Sequence, residues 1–299
     1  MKQMPKSIQF IILICAVSWT IAGVAILLGL HEAKGLIYTV FASGYMLLPA
    51  ACVILLQLIH KEKPLHHLGL SFRLNGWFLV AGIVPIVTVF LAFGINLLFP
   101  DVSFSAGFEG LFPYLTEDQA AAVADQLAEI PPIVFILAQI VNSLIAGYTI
   151  NAFFALGEEI GWRGYLLKSL RGKKLLPVSL LIGIVWGLWH FPLILLGHNY
   201  PQHPVAGVGM MVIFCILLTP TMIYIVIKSK SVLTAAIFHG TLNAISGISL
   251  LFLAGGNDLT NGITGIAGFA ALLLMNLAFC LYDKYFSKEN IFTKAIGKY

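Results

Sequence analysis

Glu158, Glu159 and Arg163 close an apolar run, Ala155-Leu-Gly-Glu-Glu-Ile-Gly-Trp-Arg-Gly164, in a chain whose hydrophobic segments otherwise exclude charge. Ionisable groups at membrane depth cost roughly 2.5–3.5 kcal/mol each on insertion scales, so three together need partners, water or a function. On a helix, Glu159 and Arg163 stack i to i+4 with the acid first, the favourable order for an ion pair. Glu158 lies about 100° away and lacks that cation. The spacing therefore predicts a structural carboxylate, Glu159, held ionised by Arg163, and a second one, Glu158, left to take and give protons.

Two further apolar runs carry a histidine at helical spacing from a second group: Trp186 with His190, and His239 with Asn243. Beside the first, Gly183-x-x-x-Gly187 permits close helix packing, as does Gly157-x-x-x-Gly161 in the Glu-Glu stretch. If these faces converge, Glu158, Glu159, Arg163, His190, His239 and Asn243 share one cavity. There a carboxylate and an imidazole can poise a water as nucleophile. A histidine and an amide can donate to the oxyanion that forms when a peptide carbonyl is attacked. Each group alone has a plainer reading, since an intramembrane histidine commonly serves as an interhelical hydrogen-bonding residue. His66 and His67 have no acid or thiol at ligand spacing and read as interfacial.

The elements that must position these residues are membrane spans. The 299 residues are 59% hydrophobic and 10% charged, with a mean hydropathy of +0.94. A soluble domain has about a quarter charged residues, so this composition is that of a polytopic membrane protein. Apolar runs at about 8–30, 36–59, 76–99, 132–156, 177–196, 205–227, 232–253 and 262–281 predict an all-α bundle of about eight transmembrane helices. We expect one integral membrane domain over 1–299, with a site-bearing core at about 135–253 and N-terminal spans within about 8–99. The first run is too long for the apolar region of a signal peptide and no A-x-A site follows it. Cys15, Cys52, Cys215 and Cys280 fall in separate apolar runs and read as fillers.

Charge sets the expected topology. Apart from Lys34 and the Arg163 of the Glu-Glu stretch, every Lys and Arg falls before the first span, within 61–73, 168–174 or 228–230, or in the tail after Asp283. The positive-inside rule places these segments, and both termini, in the cytoplasm, with the tail lysines near anionic lipid. The net charge of +4 is thus explained by topology, without nucleic acid. The connection after Pro100 carries six acids and no base, so it belongs outside, with a short surface helix expected over 116–129. Pro220 is expected to kink the sixth run. The fourth run, continued to Leu170, exceeds a membrane thickness, which predicts a bend or an interfacial piece. The charge placement also predicts a cavity opening toward the cytoplasmic half.

Glu158-Glu159-x-x-x-Arg163, Trp186-x-x-x-His190 and His239-x-x-x-Asn243, in this order on separate spans, resemble the CPBP family of intramembrane proteases. That family includes the type II CAAX prenyl endopeptidases and the bacterial bacteriocin-immunity and abortive-infection (Abi) proteins. The resemblance covers about 135–253. It implies that Glu158 is the general base and His190 its partner in activating water. It makes His239 and Asn243 the oxyanion pair, and Glu159 with Arg163 the supporting ion pair. The second motif often has Phe where this chain has Trp186, a change between aromatics that should matter little. Members are named metalloproteases, and Glu158, His190 and His239 could ligate a divalent metal such as zinc. H-E-x-x-H is absent, and the same residues suffice for a metal-free water, so both mechanisms stay open. The expected activity is hydrolysis of a peptide bond in a membrane-associated peptide or protein, with a bacterial member favoured. Two other readings are open: a non-catalytic immunity or peptide-binding protein, which would tolerate loss of Glu158, and a proton-coupled transporter. The absence of an internal repeat and the few polar residues in the outer half of the fifth run weigh against the transporter.

Overall fold

A computed structural model describes residues 4–29, 36–108 and 130–297. The turn expected at 31–34 and the surface helix expected over 116–129 lie outside the described residues. The described residues are mostly helical: α1 Lys6–Leu27, α2 Leu36–Met46, α3 Leu48–Ile59, α4 Gly76–Asn96, α5 Pro132–Tyr148 and α6 Ile150–Glu159 come first. A π-helical turn, Ile160–Leu166, extends α6. Then follow α7 Leu175–Trp189, α8 Phe191–Leu195, α9 Pro204–Ser229, α10 Leu233–Ile245, α11 Ile248–Phe252 and α12 Ile266–Tyr282. Proline opens α3, α5 and α9, where its missing N–H costs nothing. Asn75 caps α4 by accepting from Trp77 N at 3.0 Å.

Five helical stretches are long and apolar enough to cross a membrane: α1, α2 with α3, α4, α9, and α12 with the turn after it. The pair formed by α5 and the helix from α6 to Ser169 passes the same test as a span broken by 51°. The shorter apolar helices α7 and α10 complete a set of about eight apolar units in an all-α, multi-pass membrane protein. The surplus length of the fourth run is thus absorbed by the break at Thr149 and by the π turn. Helix α9 continues through Pro220 over 26 residues.

Small residues decide how closely the site-bearing helices approach. A Cβ on Gly183 or Gly187 would stand 2.5 Å from the Cα of Ile216 or Val212, so α7 lies directly against α9. A Cβ on Gly240 would meet Ala152 N at 2.7 Å, which presses α10 onto α6. Gly157 and Gly161 face Met46 O and Pro49 in the same way, each at 2.7 Å, and seat the Glu-Glu stretch on α2 and α3. Both glycine spacings noted in the sequence are therefore close helix contacts, against backbone at Gly157, Gly183 and Gly187 and against the Pro49 and Phe10 side chains at Gly161.

The two ends of the bundle differ in chemistry. At one end the basic segments are tied together: Lys6 pairs with Glu62, Lys168 donates to His67 O, and Lys228 pairs with Glu289. Val232 N donates to Gly69 O and Ile296 N to Lys173 O, each at 2.9 Å. At the other end, β1 (Val102–Phe104) pairs antiparallel with β2 (Leu253–Gly255). There Asn96 bonds Thr260 and Asn261, and Asp258 accepts from the backbone and ring of His203.

Candidate active site

Three helices meet around a cavity of about 320 Å³ whose walls include Glu158 from α6, Trp186 and His190 from α7 and its C-cap, and His239 and Asn243 from α10. Ala42, Tyr45 and Met46 of α2 close another side. Glu158 is 2% exposed. Its Oε2 accepts from Trp186 Nε1 at 2.8 Å and from Trp162 Nε1 at 3.4 Å. Oε1 has no protein partner among the described residues.

Glu159 turns the other way. Its Oε1 accepts from Arg163 Nη1 at 3.1 Å and from His239 Nδ1 at 3.0 Å. Arg163 reaches Thr219 Oγ1 and Met222 Sδ, each at 3.2 Å, and its guanidinium carbon stands 4.2 Å over the Trp186 ring. Both members of the pair are fully buried. Such a pair contributes little net stability because desolvation offsets the attraction, but losing one partner strands a charge. Helical spacing alone separated the carboxylates in this way, and the structure places Glu158 on the cavity and Glu159 behind it against Arg163.

The histidines present defined atoms. His190 Nδ1 donates to Trp186 O at 2.9 Å, so the neutral ring carries its proton there and offers Nε2 as acceptor. His239 Nδ1 donates to Glu159, which turns its own Nε2 edge away from that carboxylate. All six residues singled out in the sequence are brought together, with Glu159 and Arg163 one layer behind the cavity wall.

Two aspects differ from expectation. The cavity is lined at its rim by the exposed Asn199 and Asn243, by Ser246 and by His198. These belong to the C-terminal end of α10 and the 196–203 loop, at the end of the bundle away from the lysines. The expected opening toward the lysine-bearing half is corrected accordingly. Surface charge reports which loops share an end, whereas α7 and α10 start at the lysine end and carry their polar residues past their midpoints. Trp186 also carries more than an aromatic ring, because its indole N–H is the closest donor to Glu158, a bond that Phe could not make.

Among the described residues, no group of three His, Cys, Asp or Glu side chains is gathered closely enough to hold a metal ion. Glu158, His190 and His239 as they stand therefore do not form a ligand cradle.

Sequence reasoning missed Trp162, although its i+4 relation to Glu158 was available as a signal. It also missed His198, whose Nδ1 lies 2.7 Å from Tyr38 Oη. Burial pushes the His198 imidazole down to about 4, so it is neutral near pH 7. No sequence pattern links it to a tyrosine 160 residues away.

Comparison with known proteins adds to this geometry. Residues 133–245 match the family described as type II CAAX prenyl endopeptidase Rce1-like. A protein named CAAX prenyl protease 2 from Methanococcus maripaludis is 36% identical over 134 residues. That alignment covers 42% of this chain and 46% of the relative, so the chain matches less than half of the relative's length. The family-matched segment contains all six candidate residues, as well as Trp162 and His198.

Proposed function

We propose that this protein, whose residues 133–245 match the Rce1-like CAAX prenyl endopeptidase family, is an intramembrane endopeptidase of CAAX type. The observation that carries the reading is Glu158: a buried carboxylate on a cavity wall, one oxygen held by two indoles and the other without a protein partner. Histidines from two other helices stand on the same cavity.

In this reading Glu158 Oε1 and His190 Nε2 are the two acceptors that hold a water. The water oxygen attacks the carbonyl carbon of the scissile peptide bond, and Glu158 takes the released proton. His239 Nε2 and the Asn243 amide donate to the oxyanion. For Nε2 of His239 to donate while Nδ1 bonds Glu159, the ring must carry both protons. When the C–N bond breaks, Glu158 returns its proton to the leaving amine nitrogen, so protons balance over one turnover. Arg163 pairs with Glu159 and thereby fixes the carboxylate that orients the His239 ring.

The substrate is a membrane-associated peptide or protein, reached from the lipid phase in which the bundle sits. Both termini, with the lysine-bearing end, lie in the cytoplasm. The test is cleavage of a quenched fluorescent peptide library, prenylated and unprenylated, by protein in nanodiscs, with and without chelator. Glu158→Gln should lose activity by a factor of about 10² or more while remaining folded, and Glu159→Gln should lose less. Chelator sensitivity would assign the water to a metal; its absence would assign it to Glu158 alone. A folded Glu158→Gln that cleaves like the wild type would end the catalytic reading and leave peptide binding in its place.

A further inference from the structure

The rim of the cavity holds a polar pair that the chemistry above does not use. His198 sits in the 196–203 loop, lines the cavity, and has its Nδ1 2.7 Å from the hydroxyl of Tyr38 on α2. Tyr38 has no other hydrogen-bond partner among the described residues. A phenol is a good donor and neutral imidazole has one acceptor nitrogen, so the hydroxyl donates to Nδ1 and the ring proton sits on Nε2. The ring is thus the mirror case of His190, whose proton is fixed on Nδ1 by Trp186 O. Of these two histidines, His190 presents an acceptor and His198 a donor.

The loop that carries His198 is not free to drift. Asp258, itself buried, accepts from Gln202 N at 2.6 Å and from His203 Nδ1 at 2.6 Å, and Asp258 N donates to Gln202 Oε1 at 3.0 Å. Tyr200, fully buried, donates to Thr264 O at 2.8 Å. His198 N closes back onto Leu193 O at 3.0 Å. A donor held this firmly at the rim of the cavity is pre-organised for a partner that enters it. Glu158 lies deep and His198 at the rim, so the partner extends outward from the reacting bond.

We propose that His198, oriented by Tyr38, is a substrate-binding residue that donates from Nε2 to a main-chain carbonyl of the bound peptide on the mouth side of the scissile bond. The ring is neutral near pH 7, so the subsite takes a carbonyl and does not depend on a carboxylate at the peptide terminus. Tyr38 is a positioning residue: it touches the imidazole and fixes its tautomer. This inference rests on the peptidase reading for the meaning of the cavity, and its test reads binding separately from cleavage.

The measurement is retention of a library of apolar heptapeptides, as free acids and as amides, by Glu158→Gln protein in nanodiscs, quantified by mass spectrometry. His198→Leu in that background should lower retention about fivefold to tenfold, the loss of one hydrogen bond. His198→Gln, whose amide N–H can occupy the place of Nε2–H, should restore retention to within about twofold. Acids and amides should respond alike. In the otherwise wild-type enzyme, His198→Leu and Tyr38→Phe should raise KM with kcat unchanged, since binding away from the reacting bond is uniform across the reaction. Retention that is equal in parent and His198→Leu overturns the proposal, as does a parent that retains no peptide. An effect confined to the free acids overturns the carbonyl assignment. Retention that depends on His198 in a protein that never cleaves would sustain the subsite and sink the peptidase reading, so the two failures are distinct.

Discussion

Replacing Trp186 by Phe isolates one hydrogen bond in a site that is otherwise preserved. The smaller ring still lies against Arg163, whose guanidinium stands 4.2 Å over the indole, and beside His239, at 5.4 Å between ring centroids. What is lost is the N–H that holds Glu158 Oε2 at 2.8 Å. The remaining donor, Trp162 Nε1 at 3.4 Å, is beyond the usual N–H···O range and cannot make up the difference. A hydrogen bond to a charged group contributes about 1.5–3 kcal/mol. At about 1.4 kcal/mol per factor of ten, a carboxylate released from its aim should lower kcat about tenfold to a hundredfold. KM should hardly move, because the indole points at the base and not at the mouth. Trp162→Phe removes only the longer bond and should cost less than about threefold. The assay is steady-state kinetics in nanodiscs on the fastest-cleaved library peptide, with thermal unfolding to show that each variant is folded. A folded Trp186→Phe with wild-type kcat would refute the reasoning, and so would a Trp162→Phe as impaired as Trp186→Phe.

Two other predictions concern stability. Arg163→Met leaves Glu159 fully buried without its cation and should cost about 3–5 kcal/mol, whereas Glu159→Gln with Arg163→Met should recover most of it. Denaturant unfolding of the single and double variants checks this, and equal losses in both would contradict a coupled pair. His198 is held at about 4 against an ordinary 6.5, so between those values the unfolded chain binds a proton that the folded chain does not. Stability should therefore be full above pH 6.5 and decline as pH falls toward 4; His198→Gln should remove that part of the slope, and a slope unchanged in the variant would exclude His198 as its source.

Local arithmetic was enough for much of the site. The i, i+4 relation of Glu159 to Arg163 and the two small-x-x-x-small spacings are properties of one helix, and each appears as a contact. The convergence of three polar faces also followed, since intramembrane polar groups have few alternatives to meeting one another. What could not be read depends on neighbours distant in sequence or on backbone geometry without a compositional mark. The span breaks at Thr149, which adopts φ −127° and ψ −106° with no proline beside it. Helices α7 and α10 are only 15 and 13 residues long, yet hydropathy continues past both because α8 and α11 are apolar too. Trp186 was seen as an aromatic of the right size, but its donor function became visible only when Glu158 was in place. The direction of the cavity required knowing how far along each helix the polar residues stand.

Helix α2 walls the cavity with Ala42, Tyr45 and Met46 and carries Tyr38, but it lies outside the family-matched segment 133–245. The groups assigned to bond cleavage and part of the surface that meets the substrate thus reside in separable stretches of the gene. A lineage can rewrite α1–α3 under selection for a new peptide while the acid, the histidines and the asparagine stay as they are. The two tracts meet where Gly157 and Gly161 leave no room for a side chain against α2 and α3.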